Sequence, residues 1–200
     1  DPARTVAAQR LPALLPPHKH ASLEPILRRA LARDSRIDEY HNLLGVLLAG
    51  TGRAPEALES FRRAGELDPE HPRFLATLAG AYAQLRRWAE AATAYERACA
   101  SSPAAGIYMK LGSVYRRLDQ PDRALAAFQR ARDLGDEGSG PYLGMALAKA
   151  EMDRVPEALD LVRQGLDRHP GDAALRSLLD DLVRKSRSPG SAPGRPDSGR

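Results

Sequence analysis

Residues 52–69 read "GRAPEALESFRRAGELDP", and 34 residues later, at 86–103, the chain reads "RRWAEAATAYERACASSP". Ala57, Phe61, Ala64 and Pro69 are answered by Ala91, Tyr95, Ala98 and Pro103. The same register continues as Ala124, Phe128, Ala131 and then as Ala158, Val162, Gly165, with Pro170 closing the last set. An earlier set precedes each of these: Leu44-Gly45-Leu48, Leu78-Ala79-Tyr82, Leu111-Gly112-Tyr115 and Met145-Ala146-Lys149. Units therefore start near Asp38, Pro72, Ala105 and Ser139, at spacings of 34, 33 and 34 residues. A fixed period of this length is the signature of stacked supersecondary units.

Each unit carries two helical patterns. His41, Leu44, Gly45 and Leu48 stand at i, i+3, i+4 and i+7, and Ala57, Phe61 and Ala64 at i, i+4 and i+7, so each set shares one helix face. Small residues mark close helix approach, and large ones fill the space beside them. Pro55, Pro121 and Pro156 suit the first turn of the second helix, where a missing N–H costs nothing. Pro69, Pro103 and Pro170 stop that helix, because the residue before proline is pushed out of the α region.

This 34-residue helix–turn–helix with large/small alternation and a closing proline resembles the tetratricopeptide repeat family over residues 38–172. The resemblance implies an all-α, right-handed solenoid of helical hairpins. Its expected units are 38–71, 72–104, 105–138 and 139–172. Lys149 departs from the pattern, since the family prefers a large apolar residue there. Val162 and Gly165 are expected to weaken the fourth unit, glycine costing about 1 kcal/mol against alanine inside a helix. Asp136 stands where a closing proline is expected, which predicts a looser turn over 135–141.

The flanks follow from the same register. Leu23, Leu27 and Ala30 match a second helix one unit upstream, so 21–37 reads as a half-repeat or cap. Residues 1–20 read as a partly ordered lead-in; a helix over 3–15 is opposed by Pro12, Pro16 and Pro17. Leu175, Leu178, Leu179 and Leu182 line one face of 173–185, with Asp180, Asp181, Arg184 and Lys185 off it, as a solenoid end requires. From Ser186 the chain turns to Ser, Pro, Gly and Arg, and 186–200 is expected to be disordered.

Composition agrees with helices: the chain is 42% hydrophobic, only 5% aromatic, and rich in Ala, Leu and Arg. The net charge of +4 does not describe the body. Arg184, Lys185, Arg187, Arg195 and Arg200 against Asp197 carry the whole excess, so residues 1–183 are formally neutral. A neutral body of mixed signs is not a phosphate-binding footprint, and nucleic acid is not an expected partner. No apolar run approaches the roughly 18 residues that span a bilayer. The first residues hold no secretory signal pattern. The compartment expected is the cytoplasm, or the periplasm or exterior if a leader was removed, and the Arg-heavy, Lys-poor usage suggests a GC-rich bacterial genome.

Catalytic signatures are missing. There is no P-loop, GxGxxG, HExxH or CxxC. Cys99 is the sole cysteine and falls in an Ala-rich helical stretch, the place of a small core residue rather than a nucleophile. His18 and His20 flank Lys19 without an acid or Cys at ligand spacing, which reads as a solvated turn and not a metal site. No cofactor is expected and the chain is read as non-enzymatic. The rival reading is an accessory module of a larger transferase or hydrolase.

The resemblance implies that the first helices of successive units line a concave groove where peptides lie. The matching positions are Glu39, Asn42, Val46 and Ala49, then Arg73, Ala76, Gly80 and Ala83. Gly106, Met109, Ser113 and Arg116 follow, then Gly140, Leu143, Leu147 and Ala150. Spacings of 3, 4 and 3 keep each set on one stripe. One branch of the family clamps a C-terminal carboxylate with Lys, Asn and Arg; its positions here hold Asn42, Val46, Thr77, Gly106 and Lys110, and only Lys110 is basic. The expected site is instead a shallow apolar trough of Val46, Ala49, Ala76, Gly80, Ala83, Met109, Leu143 and Leu147. Asn42, Lys110, Ser113 and Arg116 supply polar contacts. Such a trough suits an apolar peptide or an amphipathic helix. The rival occupant of this surface is the chain's own flanks or another domain.

Overall fold

The computed structural model describes residues 17–187, and side chains from Ser22 onward. The expectation for a helix at 3–15 falls outside the described residues, and so does the expected disorder over 186–200 except at Ser186 and Arg187, which instead continue the last helix. Among the described residues there are ten helices: α1 (Pro17–Arg33), α2 (Asp38–Gly50), α3 (Ala54–Leu67), α4 (Pro72–Gln84), α5 (Trp88–Ser101), α6 (Ala105–Arg117), α7 (Pro121–Asp133), α8 (Gly140–Glu151), α9 (Val155–Arg168) and α10 (Ala173–Arg187). Antiparallel hairpins α2–α3, α4–α5, α6–α7 and α8–α9 stack in sequence, α1 packs on α2, and α10 closes the far end on α9. This is an all-α solenoid of four helical hairpins with a half-repeat before it and a capping helix after it.

Local chemistry explains the boundaries. Pro55, Pro121 and Pro156 sit in the first turns of α3, α7 and α9. Each first helix ends in the same Schellman motif. The N–H groups of Arg53, Arg87, Gln120 and Arg154 reach back to the carbonyls of Leu48, Tyr82, Tyr115 and Lys149 at 2.9–3.0 Å. The residue before each of those donors has positive φ: Gly52 (77°), Arg86 (59°), Asp119 (56°) and Asp153 (57°). Only the first of these four is a glycine, the residue the left-handed conformation favours.

The stretch around His18 and His20, expected in a turn, lies in the first turn of α1, which opens on Pro17 as proline at N1 permits. The turn at 135–141 closes without the missing proline. Asp136 N–H bonds to Ala131 O at 3.1 Å, Gly135 takes φ 90°, and the Asp136 carboxylate accepts from Gly138 N–H at 3.0 Å.

The large/small register is a packing register. A Cβ on Gly45 would fall 2.6 Å from the Phe61 ring, and one on Gly112 would fall 2.7 Å from Phe128. Gly165 follows the same logic, contrary to its expected role as a weak point. A Cβ there would meet Leu175 at 2.8 Å and Tyr142 at 2.9 Å, so glycine admits α8 and α10 against α9. Val162 beside it is fully buried.

The core comes in two clusters that meet on α4. Leu27, Leu43, Leu44, Leu47, Leu48, Leu58 and Phe61 gather with Ala81 in the first. The second runs from Ala79 to Leu182, and Tyr82 packs against both. Arg53 ties the half-repeat down: its guanidinium donates to Glu24 at 2.8 Å and Glu56 at 2.5 Å, and Arg28 reaches the same two carboxylates. The Arg28 hydrogen bond first, then Arg53, holds the Glu24 carboxyl below its ordinary range against the opposing effect of desolvation.

Candidate interaction groove

The first helices α2, α4, α6 and α8 stand side by side along the inner face. Polar rungs join some of them. Glu39 on α2 pairs with Arg73 on α4. One turn further, Thr77 Oγ1 donates to Asn42 Oδ1 at 2.7 Å. Arg116 on α6 makes a bidentate pair with Glu151 on α8, with contacts from 2.5 to 3.1 Å. Between α4 and α6 no hydrogen bond or ion pair among the described residues plays this part, and these two helices approach less closely than the other two pairs.

A cleft of about 320 Å³ opens at that gap. Ala83, Met109 and Ser113 from the expected stripes line it, with Lys110, expected as a polar contact, beside them. The wall is completed by Trp88 and Tyr95 from α5 and by Val114 and Arg117 from α6. Arg117 lies over the Trp88 ring at 5.9 Å. Ser113 spends its hydroxyl on Met109 O at 2.9 Å.

Tyr95 occupies the large position of the second-helix register and is 3% exposed. Its hydroxyl extends through the hairpin to the inner stripe, 3.6 Å from where a Cβ on Gly80 would stand. Burial alone pushes its phenol up to about 12. No hydrogen-bond partner for that hydroxyl exists among the described residues.

The remaining stripe residues divide into two groups. Val46, Ala49, Ala76, Gly80, Leu143 and Leu147 are half-buried along the inner face, as are Ala83 and Met109. Asn42 is 6% exposed, and its carbonyl is engaged by Thr77 rather than open to a peptide backbone. Arg116 is neutralised by Glu151. Lys110 is exposed and has no partner among the described residues. The sequence reading missed Trp88, Tyr95, Val114 and Arg117. The rungs had a detectable signal, since Glu39 and Arg73 are opposite charges at one register of adjacent units.

The other candidates resolve more simply. Cys99 is buried, and burial, with the Glu96 charge second, pushes its thiol up to about 11, so it carries little thiolate. His41 is half-buried, its Nε2 2.9 Å from Ser35 O. Among the described residues no group of three or more His, Cys, Asp or Glu could hold a metal ion. No described helix is long and apolar enough to cross a membrane.

Two sequence profiles of the tetratricopeptide repeat family match the chain, at residues 48–112 and 105–134. Solved structures of the same architecture are numerous. PilF of Pseudomonas aeruginosa superposes with a TM-score of 0.76 at 20% identity, over 93% of this chain and 85% of its own. MamA from Desulfovibrio magneticus RS-1 gives 0.74 at 18%, over 85% and 94%. YrrB, described as a tetratricopeptide repeat protein with an unusual peptide-binding site, gives 0.68 at 20%, over 80% and 83%. A comparison with curated protein sequences finds no match. Residues 48–134 thus carry tetratricopeptide repeats, and the structural likenesses, at these identities, establish the fold of the chain.

Proposed function

We propose that the protein is an interaction scaffold that holds a peptide or a helix of a partner protein along its inner face. The observation that carries this reading is the cleft between α4 and α6, where the polar rungs stop and three stripe residues and Lys110 meet an aromatic wall. A half-buried run of small side chains from Val46 and Ala49 to Leu143 and Leu147 extends the surface on both sides. Apolar pockets with a few convergent polar groups are the usual form of binding sites. A groove lined by small residues admits an incoming backbone and lets its side chains supply the bulk.

The test is selection from a random peptide library displayed on phage, using the intact chain and a variant carrying Ala49→Arg and Ala83→Arg. Both positions face the inner surface and neither belongs to the fully buried core. Sequences that enrich on the intact chain and are lost on the variant place binding in the groove. Equal enrichment on both, with matched circular dichroism, places it elsewhere and defeats the proposal.

A further inference from the structure

We propose that the α4–α6 cleft receives an apolar side chain of a peptide whose neighbouring residues are acidic, the carboxylates being met by Lys110 and Arg117. This rests on the groove reading above and names the chemistry of its ligand.

Shape comes first. At about 320 Å³ the cleft lies at the lower end of ligand-pocket sizes, roughly 300–1,000 Å³, and suits one anchoring side chain rather than a folded element. Ala83, Met109, Val114 and the Trp88 ring give it apolar walls. Tyr95, 3% exposed as a whole, presents its hydroxyl to the inner face beside the cleft, with no partner among the described residues. A hydroxyl that no protein group engages is free to hydrogen-bond a peptide N–H or C=O arriving with the anchor.

Charge decides the flanks. No carboxylate lines the cleft. Lys110 has no partner among the described residues, and Arg117 has only the Trp88 ring, so both positive charges remain uncompensated there. On the same face, Arg73 and Arg116 are neutralised by Glu39 and Glu151. Two uncompensated cations beside an apolar hole attract an anionic ligand and repel a cationic one. The contact on Trp88 also holds the Arg117 guanidinium at the cleft, where it loses less freedom on meeting a carboxylate.

The experiment uses the chain's own reporter. Trp88 is the sole tryptophan, so tryptophan emission, excited beyond the tyrosine band, reads this cleft. The probes are four acetylated, amidated hexapeptides: a Leu-Phe centre flanked by glutamates, by serines or by lysines, and a Ser-Ser centre flanked by glutamates. Amidation removes the terminal carboxylate as a source of binding. The glutamate-flanked Leu-Phe peptide is expected to shift Trp88 emission and bind at least about tenfold tighter than the other three, about 1.4 kcal/mol. The double variant Lys110→Glu, Arg117→Glu, with unchanged circular dichroism, is expected to prefer the lysine-flanked peptide. Equal binding of the serine-flanked peptide, or no change of preference in the variant, overturns the acidic assignment while leaving the groove reading standing. No emission shift with any of the four overturns this proposal, and the display selection judges the groove reading separately.

Discussion

The ring of Phe128 lies where a Cβ on Gly112 would be, 2.7 Å from its Cε1. The same ring meets the Cβ position of Gly144 at 2.7 Å, so it is held between its own hairpin and the next one. Phe128 is 2% exposed. Gly112→Ala is therefore expected to lower stability by about 1–3 kcal/mol, despite the better helix propensity of alanine. Gly65→Ala is the matched control. Gly65 lies inside α3 with nothing within 4 Å of its Cβ position, and the change is expected to raise stability by about 0.5–1 kcal/mol. Urea unfolding of the two variants should show opposite signs.

Arg86 is the left-handed residue that ends α4, at φ 59°. A side chain with a Cβ pays about 1–2 kcal/mol for that conformation, and glycine does not. Arg86→Gly is expected to raise stability by about 0.5–1 kcal/mol, the remainder being lost to the freer unfolded chain. Gly52→Ala, at φ 77° in the equivalent place, is expected to lower it by about 1 kcal/mol. Midpoints of guanidinium unfolding for the pair test the motif: equal and opposite shifts support it, and a loss in both variants defeats it.

Leu111 is 4% exposed in the larger core cluster, among residues from three successive hairpins. Leu111→Asp buries a charge without a partner and removes the packing, at an expected cost of at least about 4 kcal/mol. Because hairpins are stable only through their neighbours, the loss should spread to α4–α5 and α8–α9. Hydrogen exchange along the chain should show protection lost across all three. Loss confined to α6–α7 would mean the units are energetically independent.

The period, the two helices per unit and the capping helix were legible because they depend on residue types at fixed spacing. The Leu-Gly mark at 44–45 and its echo at 111–112 record a ring packed on a glycine, which is a local relationship within one hairpin. The expected inner stripes rest on the same fixed spacing. The cleft was not, because it depends on how far apart α4 and α6 stand, a distance no single unit encodes. Tyr95 also hid its role: its register says core, and only the length of its side chain carries the hydroxyl through to Gly80. Gly165 was misread because propensity weighs one helix, whereas its neighbours Leu175 and Tyr142 come from two others. The left-handed ends at Arg86, Asp119 and Asp153 lacked the glycine that marks Gly52.

Asp172 joins the turn after the third hairpin to the capping helix. Its carboxylate accepts the Ser139 hydroxyl at 2.5 Å and the Leu175 N–H at 2.8 Å, the second bond being an N-cap for α10. The Ser139 hydrogen bond first and the Leu175 N–H next hold this carboxyl below its ordinary value of 3.8. A folded-state pKa below the unfolded one means a contribution that is complete above the unfolded value and is lost as pH falls through the folded one. Asp172→Asn removes the charge at every pH. Near neutrality the variant should melt lower than the parent. Below pH 3.8 the parent loses the same contribution and the two Tm values should converge. A difference that stays constant across that range would mean the carboxylate charge does not secure α10, and that the cap acts through shape alone.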